Sequence, residues 1–309
     1  MASITAAAGG GNWSATATWT GGVVPGAGDD VFLAAGSGSV TVDVVSNCRN
    51  LDCTGYTNTL TLTAGLTVNP IAGGTVKFVA AMTIAGAATV TIISAAGANS
   101  TLTSGGKTLP ALTLNSPATG GVVLGDASTV TGAVTLTQGA LDTGSKTCTW
   151  GSFTSSSGLT RVITLGTSAI TLSSSWGVSA AGYSGTASGS TITLTGTNAV
   201  FAGGTLLAYG TVILSGPGNA QLANTVTIAN LSRIGTANKN DTLLVTTNQS
   251  VPTITGTLTL QGNSPVNRLM IGTAVVAAPT SFTPGTPVTL SAGAVSLSNV
   301  DLMDVTASG

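Results

Sequence analysis

Short runs in which an aliphatic residue alternates with Thr or another small polar residue recur along most of the chain. They include Leu60-Thr61-Leu62, Leu66-Thr67-Val68, Val90-Thr91-Ile92, Leu112-Thr113-Leu114, Val134-Thr135-Leu136, Ile192-Thr193-Leu194 and Leu258-Thr259-Leu260. A period of two marks a strand with one face buried, and the Gly, Ser, Asn and Asp residues between the runs are turn formers. No helical apolar stripe is present. Spacing between equivalent runs is uneven: the step from Leu114 to Leu136 is slightly longer than that from Leu194 to Leu214, and the step from Leu214 to Ile228 is much shorter than either. Irregular periods of about 20 residues with variable turns predict a parallel β-helix, or β-solenoid, whose coils each carry two or three short strands. The stretch 101–150 reads as two successive coils, with Lys107, Lys146, Asp126, Asp142 and Trp150 at the turns. A multi-module β-sandwich is the alternative. It would call for tight hairpins, whereas NG and DG turns are few and Ser173–Ser190 reads as a long connection.

The pattern changes at both ends, which divides the chain into an N-terminal capping or docking segment (1–45), coils (46–262) and a C-terminal closing segment (263–309). The first holds Trp13 and Trp19, suited to plugging an open solenoid edge that would otherwise invite strand pairing. GGVVPGAGDD follows, with Pro25 and Gly26 turning the chain and Asp29-Asp30 read as a solvated turn with Asx-type hydrogen bonds. A calcium or acid/base reading of that Asp pair is the alternative. In the last segment, five of the ten prolines fall within 252–287, after which alternation resumes.

Composition narrows the chemistry. Only 6% of the 309 residues are charged; all nine acidic residues are Asp, and the chain has no His. Scarce Glu, Lys and Arg remove the usual material of surface helices. A net charge of −1 disfavours nucleic acid and anionic lipid as partners. No apolar run reaches the length of a membrane-spanning helix, and MASITAAAGGGNWS lacks the basic and apolar regions of a secretory signal. Cys48, Cys53 and Cys148 are too few and too irregularly spaced for a zinc site or a disulfide framework; they read as small core residues, with a Cys48–Cys53 pair within a short loop as the alternative.

A Ser-His-Asp triad is excluded without His. A glycosidase pair would have to use Asp126 and Asp142, but these read as turn residues. Arg161, Arg233 and Arg268 read as isolated surface cations. No phosphate-binding glycine loop and no calcium repeat is present, so neither enzyme activity nor a cofactor is expected. Repeated Thr-X-Thr pairs, such as Thr191-Ile192-Thr193, raise an ice-binding face as a third reading. Uneven coil spacing argues against aligned Thr rows.

The phrases GGKTLPALTLNS, VTLTQGALDTGSKTCTWGSF, SGLTRVITLG, NRLMIGT and VSLSNVDLMDVTA resemble the Gly/Thr-rich β-helix proteins of tailed bacteriophage virions. NWSATATWTGGVVPGAGDDVFL resembles their entry segment and that of some bacterial surface adhesins. The resemblance implies a right-handed parallel β-helix, often trimeric, serving as a capsid decoration or tail appendage. The chain lacks an evident separate head-binding domain and the heptads of many fibres, which points to an accessory protein on the virion surface. The expectation is therefore a non-enzymatic structural protein that is made in the host cytoplasm, forms a homotrimer and docks on capsid or tail proteins. A bacterial adhesin or passenger fragment is the alternative. Candidate docking residues are Trp13, Trp19, Val24, Pro25, Asp29 and Asp30 in the first segment, and Arg268, Met270 and Met303 in the last.

Overall fold

The computed structural model describes residues 1–71, 73–237, 240–246, 252–274, 288–302 and 305–308. The protein is an all-β, parallel β-solenoid. It divides into two compact units: Met1–Gly151 with Ser157–Thr164, and Ser152–Ser156 with Leu165–Gly309.

In the first unit the alternating runs become rungs of three parallel ladders. One joins Ser3–Thr5, Asp30–Phe32, Asn50–Asp52, Thr75–Lys77, Asn99–Thr103 and Gly121–Leu124, stacking Ile4, Val31, Leu51, Val76, Leu102 and Leu124 into a buried column. A second joins Gly11–Asn12, Val40–Val42, Thr59–Leu62 and Thr83–Gly86. The third joins Ser46–Cys48, Leu66–Val68, Val90–Ile92, Leu112–Asn115 and part of Ser128–Asp142. It buries Cys48, Val68, Ile92, Leu114 and Leu136 in file. Side chains at alternate positions point to opposite faces, so each inward column is matched by an outward one. Here the outward file is Thr67, Thr91, Thr113 and Thr135. Threonine rows thus do align, contrary to the expectation from spacing. More chain separates the paired positions Ile4 and Val31 than separates Val31 and Leu51, and the surplus lies in the turns.

Turn chemistry is specific. At the corner after Asn99–Thr103, the carboxylate of Asp126 accepts from Ser104 N–H and Gly105 N–H, both at 2.7 Å. Gly105 has φ +59°, and a Cβ there would lie 2.6 Å from Val79 Cα and 2.7 Å from Phe78 O, both backbone atoms of the preceding coil. Gly105→Ala is expected to cost about 2–4 kcal/mol through the left-handed backbone and the clash. The midpoint of urea unfolding followed by Trp150 emission reads this, and an unchanged midpoint would contradict the packing described.

In the second unit Ala169–Leu172, the end of Tyr183–Leu194, Ala208–Leu214, Thr227–Ile234, Thr257–Gln261 and Ala294–Ser298 form one ladder. A second carries an aromatic stack. Phe153 lies on Trp176 at 4.2 Å and Trp176 on Phe201 at 6.5 Å, with Tyr209 edge-on to both Trp176 and Phe201. The Tyr209 hydroxyl accepts from Trp176 Nε1 and donates to Gly203 O, which satisfies both polar groups inside the core.

Three expectations change. Leu214 stacks on Arg233 and Ile228 stacks on Tyr209, so the short interval from Leu214 to Ile228 is not a coil. Ser173–Ser190 is not a plain connection: it contains Trp176–Val178 and enters Tyr183–Leu194. Trp150 lies within the strand Cys148–Ser155, 2% exposed, its indole N–H 3.3 Å from Ser128 Oγ.

Candidate functional site

The N-terminal candidates surround the first coil. Trp13 and Trp19 pack edge-to-face with ring centroids 4.8 Å apart, and Trp19 Nε1–H donates to Trp13 O at 2.8 Å. Both are buried, at 1% and 2% exposure, so the rings belong to the core of that coil and present no free aromatic surface. The chain at Thr18–Thr20 runs antiparallel to Thr5–Ala7, through Ala7 N–H to Thr18 O and Thr20 N–H to Thr5 O. Three aliphatic side chains reach the surface nearby, beside exposed Ser14, Thr16 and Thr20: Val23 is 55% exposed, Val44 48% and Val45 74%. Val24 is partly exposed and Pro25 buried. An open groove of about 300 Å³ runs between the Val24–Ala27 segment and the Val44–Asn47 segment, with Trp13 in its lining.

Asp29 and Asp30 are differently placed. Asp29 accepts from Ala2 N–H and Gly26 N–H, which hold its carboxyl below the usual carboxylate range. Asp30 begins a strand instead of sitting in a solvated turn. It is ion-paired with Arg49, whose Nε donates at 2.7 Å, and also accepts from Asn50. The Arg49 hydrogen bond lowers its pKa despite partial burial.

In the second unit Arg268 forms a two-oxygen contact with Asp301, both at 2.8 Å, and donates to Val300 O. Met270 is 40% exposed, and Met303 lies outside the described residues. The rung Ala294–Ser298 is exposed throughout, leaving Val295 and Leu297 at 36% and 43% exposure. An open groove of about 450 Å³ in the same unit is lined by Ser179, Tyr183, Thr205, Leu206 and Asn224 and carries no charged side chain.

Asp126 and Asp142 do not converge on a groove. Asp126 bridges to the preceding coil, and Asp142 accepts from Gly144 N–H in an Asx turn. Arg161 and Arg233, expected on the surface, are both fully buried. Arg233 takes the place of a leucine in the inward file Leu172, Leu194, Leu214, Arg233, Leu260. Its Nη1 donates to Leu214 O and Gly216 O at 3.0 and 2.5 Å, and Nη2 donates to Gly218 O at 2.8 Å. Asp241, also fully buried, lies 3.9 Å away and accepts from Gly218 N–H and from the N–H and hydroxyl of Thr236. Burial pushes its carboxyl up, but these bonds and the Arg233 charge outweigh it and the pKa lies below the ordinary value. Burial pushes the Arg233 pKa down, partly countered by Asp241.

The three cysteines are free and buried. Among the described residues no group of three or more metal-ligating Cys, Asp or Glu side chains comes together. Comparison with protein-family models, curated proteins and solved structures finds no match to the chain.

Proposed function

We propose that the chain is a structural protein of a bacteriophage virion, acting as a capsid decoration or cement protein on the head surface or as part of a tail appendage. The observation that carries its non-enzymatic character is the employment of its acids. Each of the eight described aspartates accepts a hydrogen bond from the chain itself. Asp29, Asp126, Asp142 and Asp241 hold backbone N–H groups. Asp30 and Asp301 hold arginines, and Asp43 and Asp52 hold Ser14 and Thr54. Catalysis by acid and base needs a group directed at a substrate, and these carboxylates are directed at turns and neighbouring rungs. Ladder bonds and buried columns then supply a sparsely charged scaffold in each unit. The sequence resemblance supplies the virion assignment and a homotrimeric assembly docked through its terminal regions.

Quantitative mass spectrometry of purified particles tests this reading. On the order of hundreds of copies identify a head decoration and roughly six to eighteen a tail part, as symmetric assembly requires; absence from the particle overturns it. Sedimentation of the free protein in solution should give three times the 29.8 kDa chain mass, and a monomer would sink the trimer.

A further inference from the structure

We propose that the groove beside Ser46–Cys48 binds an extended, uncharged peptide strand of a partner protein, which adds as one more rung to the third ladder of the first unit. This rests on the docking role proposed above and names the partner's chemistry.

Three independent features meet there. First, Ser46–Cys48 is paired on one side only: the described pairings put Leu66–Val68 on one edge and no strand on the other. Ser46 N–H donates to Gly65 O and Cys48 O accepts from Asn69 N–H, so these two residues face the paired edge. Parallel ladders use alternate residues, which turns the N–H and C=O of Asn47 to the open side. Second, Trp13 lines the groove, and its Nε1–H, buried, has no acceptor among the described residues. A buried donor without an acceptor is costly, and a carbonyl of an added strand would satisfy it once the ring edge turns into the groove, the nitrogen having almost no accessible surface where it stands. Third, the aliphatic rim is exposed at Val44 and Val45 on one wall and partly exposed at Val24 on the other, over a buried Pro25, and no lining residue is ionisable. A strand edge, a waiting donor and uncharged apolar walls together specify β-strand addition, in which the backbone gives affinity and alternate side chains fit the walls. A charged peptide would lose hydration with nothing to pair it.

The test is an NMR titration of the isolated ¹⁵N-labelled chain with the capped peptide AGLTVNP, the sequence of residues 64–70. Its Leu-Thr-Val core already pairs with the other edge of Ser46–Cys48. The Asn47 amide and the Trp13 indole N–H are expected to shift along one saturating curve, and both to gain protection from hydrogen exchange. Trp13→Phe, which removes the donor, and Val45→Lys, on a residue that is 74% exposed, should each weaken binding about tenfold. A peptide N-methylated at alternate backbone positions should bind at least about tenfold more weakly. Absence of saturable shifts at millimolar peptide, binding that leaves the Asn47 amide unmoved, or equal affinity for the N-methylated peptide would overturn the proposal. None of those outcomes alters particle copy number, so the virion reading stands or falls separately.

Discussion

Arg233→Ala is expected to lower the unfolding free energy of the second unit by about 3–5 kcal/mol, the range for removing one partner of a buried ion pair. Two losses add. Asp241 keeps its charge in a fully buried setting without the nearby cation, and the carbonyls of Leu214, Gly216 and Gly218 lose their donors. Arg233→Lys should recover only part of this, because an ammonium cannot span three carbonyls as the planar guanidinium does. Arg233→Leu matches its neighbours in the file, Leu214 and Leu260, and should be the mildest single change on packing grounds, yet it still strands Asp241. Stacked coils do not always unfold as one cooperative block. Urea denaturation is therefore best followed through Trp176, in the second unit. A loss below about 1 kcal/mol for Arg233→Ala would show that the pair and the carbonyl cradle contribute no more than a surface contact.

Alkaline unfolding should be the second large effect. Burial pushes the Cys148 thiol up to about 12 and raises Cys48 and Cys53 further, with the neighbouring Cys53 also acting on Cys48 and Asp52 on Cys53. Burial likewise raises the phenol of Tyr56 to about 12 and that of Tyr209 above its usual value. A group whose folded pKa is raised stabilises the fold fully below its unfolded pKa, and that stability is lost as pH climbs towards the folded value. An unfolded thiol ionises near 8.5. From there upward each buried thiol should remove about 1.4 kcal/mol per pH unit, and three together roughly 4 kcal/mol per unit. Stabilities of about 5–15 kcal/mol would be exhausted within a few units. With no His, no side chain of ordinary pKa titrates between about pH 5 and 8, so thermal midpoints should stay flat there. Below that, the lowered pKa values of Asp30 and Asp241 reverse the sign: their stabilisation, present above the unfolded value near 3.9, is lost as pH falls through the folded one. Midpoints recorded from pH 7 to 11, with a Cys48→Ala, Cys53→Ala, Cys148→Ala chain as control, check the slope. An alkaline limb unchanged in that control would rule out the thiols as its origin.

The solenoid is legible in the sequence because its cause is local: alternation sets the facing of every residue, and turn formers punctuate it. Register is less so. Leu214 and Ile228 look like equivalent members of a repeat, and only the pairing of Leu214 with Arg233 reveals that a cation stands where a leucine is expected. Composition hides such a substitution, because an isolated Arg in a polar-looking turn ordinarily lies on the surface. Carrying the step from Leu194 to Leu214 onward lands on Ile234, the exposed neighbour of Arg233, and a slip of one residue changes the face, so spacing alone does not find the buried cation. Trp150 misleads for the opposite reason. Its flanking Thr149 and Gly151 resemble a turn, whereas the alternation Cys148, Trp150 continues the inward face. The groove is half visible: the Val24-Pro25 wall stands out in sequence, but Val44 and Val45 look like the tail of a strand. Only the paired edge of Ser46–Cys48 shows that the opposite edge stands open.

The unequal coil lengths have a bearing on how this protein can change over time. Ile4, Val31 and Leu51 occupy successive places in one ladder although unequal lengths of chain separate them, so the inward columns answer to the order of rungs and not to the amount of chain between them. Drift is thereby partitioned: corners not pinned to a neighbouring coil as Gly105 is are free to lengthen, shorten and vary their outward chemistry, at a closure cost that grows only slowly with length, while the columns hold still. Lineages of such a chain would diverge first in what their corners display to the outside and last in the aliphatic files within.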